Sequence, residues 1–200
     1  MHPNSTFRLE DRATLEALIE EVCFGTVFAA TPDGPRVAHT PIISTGDGAV
    51  QFHLSNGNAL TRHLEGATAL VVLNGPDAYV SPRWYGSGGQ VPTWNYVALE
   101  LEGRVRRMAH EGTEALLARI GELREAHIMG GEPWQPDSVP ADYWNRLLRG
   151  ITGFELEVQA WRPTFKLSQN KGAKERERVA AGLEQAGSPA IAALMRTLAP

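Results

Sequence analysis

A single cysteine in 200 residues, Cys23, excludes an intrachain disulfide and any cysteine-based metal cluster within one chain. Its neighbours Val22 and Phe24 are apolar, the setting of a buried and inert thiol. Excess positive charge is also missing. Against 19 Lys and Arg stand 23 Asp and Glu, a formal net charge of -4, so no global attraction draws the chain to a polyanion and a nucleic-acid role needs a local patch. The longest apolar run, Ala69 to Leu73, is far short of a membrane span, and MHPNSTFRLEDR lacks the charged-then-apolar pattern of a signal peptide. These absences lead us to expect a soluble, cytoplasmic protein with no membrane partner.

Several chemical signatures are lacking as well. The six histidines form neither a HExxH nor a close pair, and His53 and His63 are separated by a strand and a helix start, so no metal site is expected. No GxSxG elbow, Walker A loop or GxGxxG after a strand is present, which removes support for a serine nucleophile, a P-loop and a Rossmann site. No acid/base pair stands out, and no catalytic residue is assigned.

What is there has the size and apolar content of one compact domain, 1–200, with a helical C-terminal extension from about residue 171. DRATLEALIEEV places Leu15, Leu18, Ile19 and Val22 at helical spacing, with Asp11 as a cap. FGTVFAAT, PDGP and RVAHTPII read as a hairpin, followed by a third strand, AVQFHLS. SNGNALTRHLEG reads as a short helix whose polar start suits a phosphate. TALVVLNG is an apolar strand, and TWNYVALELEGRVRRM alternates as a long one. Helical patterns return over His110 to Ala126 and in ADYWNRLLRG, flanking the breaker MGGEPWQPDSVP. GFELEVQAWRPTFKLS is another long strand, in which Pro163 signals an edge or a bulge. The fold class that follows is mainly β with peripheral helices (α+β), an antiparallel barrel or sandwich.

Aromatics beside short polar side chains recur in SPRWY, PTWNY and KLSQN, a combination that suits a flat ligand with heteroatoms on its edge. For PTWNY a second arrangement stays open, with Trp94 and Tyr96 in the core and Asn95 toward solvent. WRPTFKLSQNKGAKERER gathers Arg162, Lys166, Lys171, Lys174, Arg176 and Arg178 against Glu175 and Glu177. Such a run is a solvated helix face, a seat for a ligand acid, or a nucleic-acid contact. No helix-turn-helix is readable, so direct DNA binding stays open without a motif behind it.

GPDAYVSPRWY, VPTWNY and KLSQN, in that order, resemble the PaiB family of FMN-binding negative transcriptional regulators, relatives of the pyridoxamine phosphate oxidase-like split barrels. The likeness runs from about Phe7 to Leu183 and takes in His39-Thr40-Pro41, DYWNRLLRGITGFELEV and VAAGL. It implies an FMN-binding split β-barrel and a homodimer with flavin sites at the interface. It further implies that His39, Thr40, His53, Asn56, Asn58 and Arg62 flank the ring and phosphate, and that Trp84, Tyr85, Trp94, Asn95 and Tyr96 form aromatic walls. Lys166, Ser168, Gln169 and Asn170 would approach the open face of the ring. The chain departs from the family pattern at Asn56, where an Arg is usual, at Glu100, where a His is common, and in the short loop GSGGQ; each change removes positive charge. The functions implied are transcriptional regulation or, as the alternative, an FMN-dependent oxidoreductase of the pyridoxamine phosphate oxidase or flavin reductase kind.

Overall fold

The computed structural model describes residues 3–199. Six strands, β1 (Phe24–Thr31), β2 (Gly34–Ser44), β3 (Ala49–Ser55), β4 (Thr68–Val80), β5 (Thr93–Arg107) and β6 (Ile151–Lys166), close into a barrel in the order β1-β2-β3-β6-β5-β4. The registers of β1 with β2 and β4, of β2 with β3, and of β3 with β6 are all antiparallel. Five helices accompany them: α1 (Arg12–Val22), α2 (His110–Glu125), α3 (Ala141–Leu148), α4 (Ala173–Gln185) and α5 (Pro189–Leu198). The strand pattern implied an antiparallel barrel or sandwich with peripheral helices, and the structure is a barrel, the split-barrel fold that the family resemblance implied. Among the described residues no helix is long and apolar enough to cross a membrane.

The chain divides into two compact units. One, here the hairpin unit, comprises Glu16–Leu73 and Leu101–Trp161; the other, the pocket unit, comprises the residues up to Leu15, Asn74–Glu100 and those from Arg162 on. Strands β4, β5 and β6 each contribute residues to both.

In the hairpin unit, Pro32 and Asp33 turn the chain so that Thr31 pairs with Gly34, whose φ of 97° is open to glycine and strained for other residues. Alternation then sends Val27, Ala29, Ala38, Thr40 and Ile42 inward, and Phe52 stacks on Phe154 across β3 and β6 at 5.6 Å. Helix α2 lays Leu116 on Cys23 and Ile43, with Met108, Ile120 and Leu123 around them. Burial pushes the Cys23 thiol above its ordinary pKa, which leaves little thiolate for chemistry. Gly103 marks a close approach of two strands, since a Cβ there would stand 1.8 Å from the Glu157 carbonyl oxygen.

One local expectation changes. The helix read in SNGNALTRHLEG is only a 3-10 turn, Thr61–His63, because side chains take over its backbone partners: Asn58 Oδ1 accepts from the Leu60 N–H at 2.9 Å, and Thr61 donates to the Ser55 carbonyl at 2.7 Å. Pro163 is buried. It lies within β6, beyond the β3 register that ends at Glu157, so its missing N–H takes nothing from that ladder.

In the pocket unit, β4 runs on through GPDAYV to Val80, and Ser81 caps the 3-10 turn Pro82–Trp84 by accepting from the Arg83 N–H. Helix α4 reaches this turn through Gly182, where a Cβ would stand 2.5 Å from the Trp84 ring. Helix α5 is clipped to α4 by Arg196, which donates to Glu177 at 2.9 Å and to Glu184 at 2.6 Å.

Candidate functional site

The two-residue period of β5 settles the geometry of PTWNY. Asn95 points inward and is fully buried, whereas Trp94 is 49% exposed, the reverse of the arrangement with the aromatics as core. Buried amides need partners. Asn95 Nδ2 donates to Ser168 Oγ at 3.0 Å and lies 3.3 Å from Met195 Sδ, while Ser168 Oγ stands 3.2 Å from Asn95 Oδ1. Ser168 has φ 63°, a left-handed conformation that costs a residue with a side chain on the order of 1–3 kcal/mol. Glycine would hold the turn with less strain, but only a hydroxyl bonds Asn95.

This serine turn directs the rest of KLSQNK. Gln169 folds back, accepting from the Leu167 N–H at 2.8 Å and donating to the Phe165 carbonyl at 2.5 Å, so it braces the loop. Lys166 donates to Thr93 Oγ1 at 2.5 Å and to the Trp94 carbonyl at 2.7 Å, and burial holds its pKa below the ordinary lysine value. Lys171 donates to Gln90 at 2.7 Å with its ammonium 5.1 Å from the centre of the Tyr85 ring. Tyr85 is buried, and its carbonyl accepts from Arg178 at 3.1 Å.

Together these residues enclose a cavity of about 170 Å³. Tyr85 comes from SPRWY, Thr93 and Asn95 from PTWNY, and Lys166, Ser168 and Asn170 from KLSQN; Gln90, Val91 and Lys171 complete the wall. Larger hollows lie along α4 and α5 (280 Å³) and beside α2 (440 Å³), but neither contains a residue of the three motifs. Trp84, Trp94 and Tyr96 are not among the lining residues. Trp84 packs on Gly182, and Trp94 donates to Asp77 at 2.8 Å while meeting Tyr79 edge-on at 5.9 Å.

The remaining residues singled out in the sequence belong to the hairpin unit. His39 shares a hydrogen bond with Thr26 at 3.0 Å on the outward face, and buried Thr40 donates to the His53 carbonyl at 2.6 Å. His53 Nδ1 is buried with no partner among the described residues, and burial lowers the ring's pKa. Asn56 uses both ends of its amide, donating to the Arg149 carbonyl at 2.7 Å and accepting from Thr152 at 2.7 Å. Asn58 caps the Thr61–His63 turn region through Leu60, and exposed Arg62 meets Asp33 at 3.6 Å.

Gln90, Val91 and Thr93 were not singled out in the sequence, and Lys171 only as a member of the basic run with a ligand acid as one of its readings. Alternation from Asn95 would have found Thr93, and Lys171 directly follows KLSQN; Gln90 and Val91 carry no such signal. Among the described residues no group of three His, Cys, Asp or Glu side chains is placed to hold a metal.

Residues 1–160 match the model of the family described as "Putative FMN-binding domain". The chain belongs to this family. Within the family's scope it is 28% identical over 187 residues to the protease synthase and sporulation protein PAI 2 of Bacillus subtilis, covering 92% of this chain and 89% of that protein. It is 32% identical over 189 residues to an uncharacterized protein of Emericella nidulans, covering 78% and 75% of the two chains. The fold is shared with the FAD and heme binding protein of Mycobacterium smegmatis at a TM-score of 0.61 and 18% identity, over 87% of this chain and 79% of that one. This FMN-binding family member therefore has the split barrel expected from PaiB-type proteins, and FMN is its cofactor. Lys166 to Lys171 lie beyond the matched 1–160 stretch.

Proposed function

We propose that the protein is a PaiB-type transcriptional regulator that works as a flavin-binding homodimer. The observation that carries this reading is the meeting of SPRWY, PTWNY and KLSQN residues in one cavity of the pocket unit, with buried Asn95 and left-handed Ser168 as its base. Left-handed non-glycine residues held by buried side-chain bonds concentrate at ligand sites.

The residues present suit a flavin. The ring system has hydrogen-bonding edges, and His53 Nδ1 is a buried polar atom without a partner among the described residues, an arrangement that a ligand would relieve. In the hairpin unit we assign His53 and Thr40 to the cofactor, Thr40 acting by fixing the His53 backbone. In the pocket unit we assign Tyr85, Asn95, Lys166, Ser168 and Asn170, with Gln169 bracing their loop. When bound, the flavin supplies hydride or electron transfer. The protein's own groups orient the ligand, and Lys166 holds a proton at Nζ beside the cavity.

Dimerisation draws support from an outward apolar face on the hairpin. Phe24 and Phe28 of β1 and Val37 of β2 are 55%, 40% and 48% exposed, with Phe28 directly opposite Val37 and Phe24 opposite Pro41. Exposed apolar groups clustered on one sheet face suit contact with a second copy. A cavity of 170 Å³ is also smaller than the roughly 300–1,000 Å³ of sites enclosing a drug-sized molecule, so a whole flavin needs further walls.

The alternative, an FMN-dependent oxidoreductase, rests on the polar cavity and its lysines, which offer room for a second molecule. The test starts with a visible absorbance spectrum of the purified protein and release of its chromophore. FMN is expected, together with a rise in thermal midpoint on adding FMN to flavin-free protein; a colourless protein indifferent to FMN would overturn the reading. Turnover of NADH, NADPH or pyridoxamine phosphate above the free-flavin background would favour the oxidoreductase. Light scattering should return twice the chain mass.

A further inference from the structure

We propose that the cavity of the pocket unit is an oxyanion seat, in which Lys166 and Lys171 hold the phosphate or carboxylate of a small ligand. Charge and partners are mismatched around this cavity. Lys166 gives two of its three N–H donors to neutral acceptors, Thr93 Oγ1 and the Trp94 carbonyl, and Lys171 bonds the neutral amide of Gln90. No carboxylate lines the cavity. Glu175, bonded to the Ser87 hydroxyl and the Gly172 N–H, lies within Coulombic reach of Lys171 but outside the cavity wall.

With no acid in the wall of the recess, Lys166 is a partly buried cation without a counter-charge there, and an anion in the recess offsets that cost while adding to the charge that Glu175 gives Lys171. Burial already lowers the Lys166 pKa, the direction expected of a cation that lacks a counter-charge. The side chain of Asn170 lines the same recess with no hydrogen-bond partner among the described residues, which leaves an amide N–H for the ligand. Lysine acts as a point charge and accepts a tetrahedral phosphate or a planar carboxylate alike. The Tyr85 ring and Val91 bound the recess on an apolar side, so the ligand presents a short apolar segment next to its charged end.

This inference goes beyond the cofactor reading, because the seat stands on the pocket unit's own lysines. Such an anion has two sources, the terminal phosphate of FMN and a separate small acid. Inorganic phosphate is the probe. In flavin-free protein at constant ionic strength, the thermal midpoint should rise with phosphate, and Lys166→Gln and Lys171→Gln should each weaken the apparent affinity at least tenfold, while Lys171→Arg retains it. Circular dichroism checks that the variants fold, and Lys171→Gln carries the test if Lys166→Gln does not.

FMN and riboflavin separate the sources. If the cofactor's phosphate occupies the seat, FMN binds at least tenfold tighter than riboflavin, the preference collapses in both variants, and inorganic phosphate competes with FMN. If a separate acid occupies it, the preference survives in the variants and phosphate stabilises flavin-loaded protein. A protein that binds FMN, ignores phosphate when flavin-free, and keeps its preference for FMN in both variants retains the cofactor reading and ends this one. A colourless protein that refuses FMN but responds to phosphate does the opposite.

Discussion

Asn95 and Asn56 are the same residue put to different uses in the two units. In the hairpin unit, Asn56 sits on the surface with its amide spent on the Arg149 carbonyl and the Thr152 hydroxyl, so it ties the α3–β6 turn to the end of β3 and offers a ligand little. In the pocket unit, Asn95 is wholly buried, and its bond to Ser168 holds a strained turn that turns the KLSQNK loop toward a cavity. One asparagine closes structure; the other opens a site. Where the family pattern places an arginine, this chain has an asparagine bonded to the Arg149 carbonyl and the Thr152 hydroxyl, and positive charge beside a cavity is found on Lys166 and Lys171.

Substitutions separate the two units by the size of their effects. The largest effect is expected in the frame of the hairpin unit: Gly103→Ala drives a Cβ into the Glu157 carbonyl and should cost more than about 4 kcal/mol in urea unfolding, or prevent soluble expression. Asn95→Ala comes next, removing a buried bond and orphaning Ser168; a loss of about 1–3 kcal/mol is expected, together with at least tenfold weaker FMN binding by fluorescence titration. Asn56→Ala removes more exposed bonds and should cost about 1 kcal/mol while changing FMN affinity less than threefold. An equal effect of the two asparagine substitutions on FMN binding would erase the distinction drawn between them.

His53 adds a pH-dependent contrast. Burial lowers its pKa in the folded state below the ordinary 6.5, so the unfolded chain binds more protons and stability falls as pH drops through 6.5 toward the folded value. Thermal midpoints of the flavin-free protein between pH 7.5 and 5 should decline, and His53→Leu should flatten that part of the curve. The smallest effect belongs to Arg62→Ala, which breaks an exposed pair with Asp33 and should move stability by no more than about 0.5 kcal/mol.

Much of the frame could be read from period and punctuation. The hairpin from Phe24 to Ser44, the long alternating β5 and β6, and the helices α1 and α2 all declare themselves through apolar spacing, because burial on one face is what fixes a strand or a helix. Asn95 is where that logic stops. Side-chain size argues for Trp94 as the buried partner, yet the amide finds Ser168 and Met195, which lie 73 and 100 residues away and leave no mark on local periodicity. Position 61 shows the other limit: a helical pattern yields to Asn58 and Thr61 side chains that satisfy the backbone locally. Of the site, the motifs were visible as compositions, but which of their members face the cavity is a matter of alternation plus long-range bonds. Hence Thr93 and Lys171 join it, while Trp84 serves as the surface on which α4 rests.

Ser168 carries one more consequence. A serine in a left-handed turn behaves like a sprung catch, held at its hydroxyl by Asn95 and along its backbone by Gln169 and the Lys171 N–H. With the Asn95 bond gone, the strained φ of Ser168 would lose the bond that offsets it, and the loop between Lys166 and Lys171, two and three positions to either side, would loosen. The spacing of two charges is thus set from a different strand, and a change at Asn95 would alter which molecules the cavity admits without touching either lysine.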